Sequence, residues 1–155
     1  LRGEEDALEY MKKLDKQIKT YQRSGSAPAK LAGQGECMIG ISFLHDAIKF
    51  RESGMNDLIL TSPSEGTGYE VGAVSLIKGG PVQEAAKMFI DWCLTAKAQE
   101  FGQTVGSYQF LTHPDAKPPK QADELKGTPL IKYNFLWSGK HRDEVVNKWE
   151  KAIDK

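Results

Sequence analysis

The segment that decides the predicted fold is Cys37-Met38-Ile39-Gly40-Ile41-Ser42-Phe43-Leu44. It is a near-continuous apolar run, and a second run occupies residues 57–61 around Leu58-Ile59-Leu60. Such runs are typical of strands that helices cover on both faces, as in parallel sheets. The residues between the two runs, 45–52, have helical character and are followed by Gly54. This order predicts an α/β fold with a helix-flanked, mostly parallel sheet.

The sequence on either side continues this alternation. A third apolar run, residues 71–77, follows a turn rich in glycine and serine and predicts another strand. Five further helices are predicted, three from apolar residues that recur three or four positions apart and two from the candidate N-caps Ser26 and Thr95. These cover residues 4–22, 27–34, 82–94, 96–104 and 140–153. Residues 107–136 hold four of the seven prolines and are predicted to be irregular, a long stretch that suggests a chain passing between two bodies.

Composition excludes several classes of protein. The 155 residues include 21 basic and 21 acidic side chains, so the formal net charge is zero and no chain-wide attraction to nucleic acid is expected. No apolar run is long enough for a membrane-spanning helix. The first residues lack the features of a signal peptide, so the protein is either cytosolic or has a signal that is not in this chain. Cys37 and Cys93 lie in apolar runs and are predicted to be buried thiols, with a disulfide left open.

The candidate ligand-binding residues follow predicted strands. His45 and Asp46 come directly after the run 37–44, and Glu65 lies in the turn after the second run. Ligands of α/β folds bind at the carboxyl ends of strands, which makes these three residues candidates. The alternative for Asp46 is a structural role in the first turn of a helix, where the helix dipole favours a carboxylate. The glycines of 66–72 have the spacing G-x-G-x-x-x-G and lead into a strand, so they do not predict a dinucleotide site.

Motifs for catalysis or for metal binding are missing from the sequence. It contains no G-x-S-x-G, no H-E-x-x-H and no C-x-x-C, so no nucleophile, metal or cofactor is predicted. The protein is therefore predicted not to be an enzyme. The alternative is a cytosolic α/β enzyme in which His45 acts as a general base with Asp46 or Glu65 as its partner.

Four motifs, taken in order, resemble the C-terminal half of periplasmic solute-binding proteins of ABC importers. The similarity is to the group that binds ferric iron, hexose phosphates or aminoethylphosphonate. It covers almost all of this chain but only about half of such a protein. The motifs are residues 35–41, the pair His45-Asp46, residues 63–79, and residues 85–92 with 98–101.

The resemblance implies a type II two-lobe fold and a division of the chain. Residues 1–75 would belong to the second lobe, 76–126 would be a hinge-crossing strand and helices of the first lobe, and 127–155 would return to the second lobe. The missing N-terminal half would hold the signal peptide and most of the first lobe. A periplasmic location follows from the same resemblance.

The resemblance also implies a class of solute. His45 and Asp46 stand where iron-binding relatives carry two adjacent tyrosines, and a His-Asp pair suits hydrogen bonds to hydroxyls better than it suits Fe(III). Together with Glu65, the pair is similar to the sugar-phosphate branch, with the phosphate held by the absent half. Ferric iron remains the alternative solute.

The implied partners are a small-molecule solute, the ABC permease and the missing N-terminal half, and no nucleic acid. If the first-lobe segment is separated from its other half, its apolar faces need cover. A domain-swapped homodimer is one arrangement that would supply it.

Overall fold

The computed structural model describes residues 3–125 and 127–153. Contacts divide the chain into two compact units, one made of the residues up to 22 with those from 132 onward, the other of residues 23–131. The helices are α1 (Glu4–Asp15), α2 (Ala27–Gly33), α3 (Leu44–Glu52), α4 (Gln83–Cys93), α5 (Ala96–Thr104), a 3₁₀ helix (Lys120–Leu125) and α6 (Phe135–Ala152).

The first unit pairs α1 with α6. Three acidic residues open α1 and two lysines lie in its last turn, which is the order that the helix dipole favours. Lys148 of α6 donates hydrogen bonds to Glu4 at 2.7 Å and to Glu144 at 2.8 Å. The ring of Tyr21 packs edge-on against Trp149, with centroids 6.4 Å apart.

The ends of these two helices differ from the prediction. The apolar spacing predicts a helix to residue 22, but α1 ends at Asp15 and Tyr21 instead contacts α6 through its side chain. The predicted last helix begins at residue 140, whereas α6 begins five residues earlier at Phe135. The Asn134 side chain accepts a hydrogen bond from the Trp137 N–H at 3.0 Å, which caps α6 at this earlier position.

The second unit is built around Ile48. This side chain is 0% exposed and lies with Ala122 of the 3₁₀ helix in a small apolar cluster. Leu44, Leu60 and Tyr108 pack against this cluster from α3, from the segment that follows α3 and from the loop after α5. Helix α2 packs on α3, and α4 packs on α5.

The predicted sheet is wrong. In the described residues, 3–125 and 127–153, the structure has no β-sheet, and an isolated parallel bridge joins Thr67 to Leu130. A strand covered on both faces would bury its apolar side chains, but Met38 is 100% exposed and Ile39 is 81% exposed. The apolar runs have no neighbouring strand in the described part of the chain. An apolar run can provide the side chains that a buried strand needs. A sheet also requires a second strand that pairs with the first through backbone hydrogen bonds, and the sequence of the run does not determine whether such a partner is present.

The remaining predictions about organisation have separate outcomes. The division at residues 75 and 126 stays a prediction, and residue 126 itself lies outside the described residues. Cys37 and Cys93 are half-buried and carry free thiols. None of the helices in the described ranges is both long enough and apolar enough to span a bilayer.

Gly40 tests how closely the segment after α2 packs. A Cβ atom at Gly40 would collide with the backbone carbonyl of Pro28, which cannot move as a side chain could. We expect Gly40→Ala to lower the free energy of unfolding by about 1–3 kcal/mol, the usual cost of overpacking. Gly139→Ala is the matched control, because Gly139 lies inside α6 with nothing near its Cβ position. The control should gain up to about 1 kcal/mol from helix propensity. Urea unfolding that gives both variants the same stability would contradict this packing.

The pKa of Tyr21 tests the contact between this residue and Asp15 in the first unit. Its hydroxyl donates a hydrogen bond of 2.7 Å to Asp15. Partial burial of the phenol, followed by the hydrogen bond and the charge of Asp15, raises the pKa of Tyr21 from 10.0 to about 12. We expect Asp15→Asn to bring that pKa back toward 10.0, because the negative charge that opposes the phenolate is removed. The measurement is an ultraviolet pH titration, with Tyr21→Phe used to subtract the other tyrosines. An identical Tyr21 titration in the parent and in Asp15→Asn would contradict the expectation.

Candidate functional site

His45 and Asp46 lie in the first turn of α3. Phe43 precedes this helix in an extended conformation, and its ring stacks on the His45 imidazole with centroids 5.4 Å apart. The His45 Nε2 and Asp46 Oδ2 atoms are 3.8 Å apart. Their side chains are 25% and 22% exposed, so they are partly shielded from solvent but remain accessible. Ile48 anchors the same helix in the core and so fixes the position of the pair.

A loop that follows α5 faces this pair. Helix α5 ends at Thr104, and Gly106 then adopts a φ of 79°, a left-handed conformation that favours glycine at the end of a helix. The Ser107 N–H donates to the Gly102 carbonyl at 2.9 Å, which turns the chain back on the helix. Tyr108 then packs against the Ile48 cluster. The loop is therefore tied to the same core as α3.

Side chains of α5 hold the segment beyond this loop. The Gln99 Oε1 atom accepts hydrogen bonds from the N–H groups of Thr112 at 3.0 Å and His113 at 2.9 Å. Glu100 accepts from the Lys117 N–H at 2.8 Å, and Gln103 donates to the Lys117 carbonyl at 3.2 Å. These bonds satisfy backbone groups that irregular structure leaves unpaired, so this part of residues 107–136 has a defined path.

The helix and the loop form the two sides of a partly open pocket of about 160 Å³. His45, Asp46 and Lys49 line one side, and Val105, Gly106, Ser107, Tyr108 and Gln109 line the other. The lining residues carry an imidazole, a carboxylate, an ammonium, hydroxyls and an amide. These groups both donate and accept hydrogen bonds, so they suit a polyhydroxylated solute. The volume fits part of a sugar rather than a drug-sized molecule.

Glu65 lies elsewhere in the second unit. Its Oε2 atom accepts a hydrogen bond from the Ser64 hydroxyl at 3.1 Å in the turn before Gly66, and it does not line the pocket. The backbone of Thr67 exchanges hydrogen bonds with Pro129 at 2.9 Å and Ile131 at 3.0 Å, which fixes the end of this turn. The structure therefore brings together His45 and Asp46 but not Glu65. A role for any of the three in binding a solute stays a prediction.

Lys49 and the loop 105–109 were not predicted from the sequence. A signal for Lys49 exists, because it follows His45 by four residues and such residues are neighbours on a helix. No local pattern marks residues 105–109, since their place opposite α3 depends on the packing of Tyr108.

Two further observations concern possible ligands. A larger, open depression of about 520 Å³ is lined by the consecutive residues Lys132–Leu136 of the first unit. One short stretch forms it, so groups from different elements do not converge there. Across residues 3–125 and 127–153, no three side chains of His, Cys, Asp or Glu are grouped in a way that could hold a metal ion.

The chain is similar to known proteins in both sequence and structure. The chain is 36% identical over 154 residues to an uncharacterized protein of Haemophilus influenzae. It is also similar, at 39% identity and a TM-score of 0.87, to the structure of the periplasmic binding protein AfuA from Actinobacillus pleuropneumoniae. The chain resembles a periplasmic binding protein. That protein was solved with exogenous fructose-6-phosphate bound. No protein-family model matches the chain.

Each match covers nearly all of this chain but less than half of the matched protein. The first covers 97% of this chain and 44% of the relative, and the second covers 98% of this chain and 48% of AfuA. The chain therefore spans about half the length of the proteins that it matches. The similarity to periplasmic binding proteins that the motifs predicted is confirmed, whereas the assignment to the C-terminal half stays a prediction.

Gln99 provides a test of how the chain beyond the loop is held. Gln99→Leu keeps the size of the side chain but removes the oxygen that accepts from the N–H groups of Thr112 and His113. We expect the amide hydrogens of these two residues to exchange with solvent about tenfold faster, because each loses the hydrogen bond that protects it. Gln103→Leu is the control, because Gln103 bonds Lys117 instead. Hydrogen exchange followed by NMR that shows the same rates in both variants would contradict the assigned path.

Proposed function

We propose that this chain is part of the solute-binding component of an ABC importer and forms its C-terminal half. The observation that carries the proposal is the similarity to a periplasmic binding protein over 98% of the chain, with a TM-score of 0.87. The order of the four sequence motifs, which runs through residues 35–101, supports the assignment to this half. A periplasmic location belongs to the same proposal.

The proposed solute is a small anionic sugar derivative such as a hexose phosphate. AfuA holds fructose-6-phosphate in its solved structure. In this chain, Asp46 can accept hydrogen bonds from two hydroxyls, and the His45 ring can donate one and accept one. Both side chains reach the same pocket. Glu65 is a further candidate, which would meet the solute from the turn before Gly66.

The proposed mechanism is capture and delivery without chemical change. A solute that binds the closed conformation more tightly than the open one shifts the population toward the closed conformation. The size of this shift is limited by the difference between the solute's affinities for the two conformations. The permease would recognise the closed form. His45 and Asp46 would then act as ligand-binding groups, with no proton transfer assigned to either.

The proposed partner within the protein is the half that this chain does not span. Apolar side chains such as Ile59 and Ile77 are 85% and 79% exposed, and large exposed apolar surface generally marks an interaction site. The similar proteins are about twice as long as this chain, so they contain a further segment of comparable size. That segment is the proposed cover for the exposed residues.

Substitution of the His-Asp pair tests the proposed site. In the complete gene product that contains residues 1–155, we expect His45→Ala and Asp46→Asn each to weaken binding of fructose 6-phosphate by roughly 10–100-fold. This is the range for loss of a hydrogen bond that involves a charged group. Isothermal titration calorimetry gives the affinities, and circular dichroism melting shows whether each variant remains folded. The 155 residues alone should bind weakly, because the other half supplies part of the site.

Asp57→Asn is the matched control for the charge change, since Asp57 is exposed and does not line the pocket. It should bind like the parent. Parent-like affinity in His45→Ala and Asp46→Asn would remove both residues from the site. A complete gene product that gives no heat with fructose 6-phosphate would reject the proposed solute, and titration with Fe(III) would then test the other member of the group.

A further inference from the structure

The His45 imidazole is oriented by the ring of Phe43. The two rings are stacked, with centroids 5.4 Å apart and planes 21° from parallel. Asp46 Oδ2 lies 3.8 Å from His45 Nε2, which is too far for a hydrogen bond. In the part of the chain that the structure describes, the imidazole forms no hydrogen bond. Stacking uses a face of the ring and leaves both nitrogens, which lie on its edge, available to a solute.

Gly25 provides the space that the Phe43 ring occupies. A Cβ atom at Gly25 would lie 2.5 Å from Cε2 and 2.9 Å from Cδ2 of that ring, so the ring could not keep its position beside any other residue type. Gly25 is not among the glycines with a positive φ, and its backbone conformation therefore does not itself require glycine. What glycine contributes at this position is the absence of a side chain.

Hydrogen bonds on both sides of Phe43 fix the residue that carries the ring. The preceding residue, Ser42, donates from its hydroxyl to the Gly25 carbonyl. The Phe43 carbonyl accepts from the Ala47 N–H at 3.2 Å, at the start of α3. Phe43 is 42% exposed and is not part of the Ile48 cluster. Its ring therefore lies between the loop and the imidazole rather than in the apolar core.

We infer that Phe43 and Gly25 are positioning residues for His45, the proposed solute-binding group. Gly25 leaves room for the Phe43 ring, and the ring holds the plane of the imidazole that lines the pocket. Neither Phe43 nor Gly25 lines the pocket, so both would act through His45. This inference rests on the proposed function. A side chain that is already held in one orientation loses less freedom when a solute binds, which favours affinity.

The test uses the complete gene product that contains residues 1–155, with fructose 6-phosphate as the probe. Gly25→Ala displaces the Phe43 ring, and Phe43→Leu removes it. We expect each variant to bind about three- to tenfold more weakly in isothermal titration calorimetry, because the imidazole must then be ordered when the solute binds. Nuclear Overhauser effects between the ring protons of Phe43 and His45, measured without solute, should be present in the parent and lost in Gly25→Ala.

Gly33→Ala is the matched control for a steric clash. A Cβ atom at Gly33 would collide with the Met55 side chain in the same unit, and neither of these residues lines the pocket. This variant should keep the parent's affinity and its contact between the Phe43 and His45 rings. Circular dichroism melting shows whether each variant is folded. Should Gly25→Ala fail to fold, the affinity of Phe43→Leu decides the outcome.

The outcomes separate this inference from the proposed function. Parent-like affinity in folded Gly25→Ala and Phe43→Leu overturns the role of these residues and leaves the function standing. An equal loss of affinity in Gly25→Ala and Gly33→Ala also overturns it, because overpacking anywhere in the unit would then have the same effect. A parent that gives no heat with fructose 6-phosphate rejects the proposed solute. The ring contacts, measured without solute, then decide whether Phe43 and Gly25 orient His45.

Discussion

The constraint on which the pocket depends is the burial of one side chain, Ile48. Full burial of an isoleucine contributes about 1.5–3 kcal/mol, and here it joins elements that are far apart in the sequence. Ala122 comes from the 3₁₀ helix and Tyr108 from the loop after α5. The Gln121 side chain also donates a hydrogen bond of 2.9 Å to Glu52, which adds a polar contact between the 3₁₀ helix and α3. The pocket has one wall on α3 and the other on the Tyr108 loop, so its shape is set by the Ile48 cluster.

The helices could be predicted from the sequence to a large extent, because their signals are local. Spacing of apolar residues and capping residues located α2, α3, α4 and α5 to within a few residues. Thr95, predicted as the cap of α5, accepts a hydrogen bond from the Ala98 N–H at 3.2 Å. The start of α6 was missed because its cap, Asn134, lies in a stretch that its prolines made appear irregular. Helix ends of this kind are decided by one side chain.

The sheet and the full pocket could not be predicted, because both depend on residues distant in the sequence. The run 37–44 is apolar enough for a buried strand, yet its state depends on a neighbour that the run itself does not encode. His45 and Asp46 are adjacent, so their pairing followed from the sequence. The loop 105–109 is about sixty residues further on, and only the packing of Tyr108 brings it to them. The His45-Asp46 pair could thus be predicted, but the loop that forms the other side of the pocket could not.

Helix α3 separates the residues that hold the fold from those that line the pocket. Leu44 and Ile48 belong to the apolar cluster, while His45, Asp46 and Lys49 line the pocket. The two sets interleave along one helix and make different contacts. Mutations at the pocket positions can therefore change the chemistry of the pocket without opening a cavity in the core. Such an arrangement lets the lining of a pocket diversify during evolution while the stability of the fold is conserved.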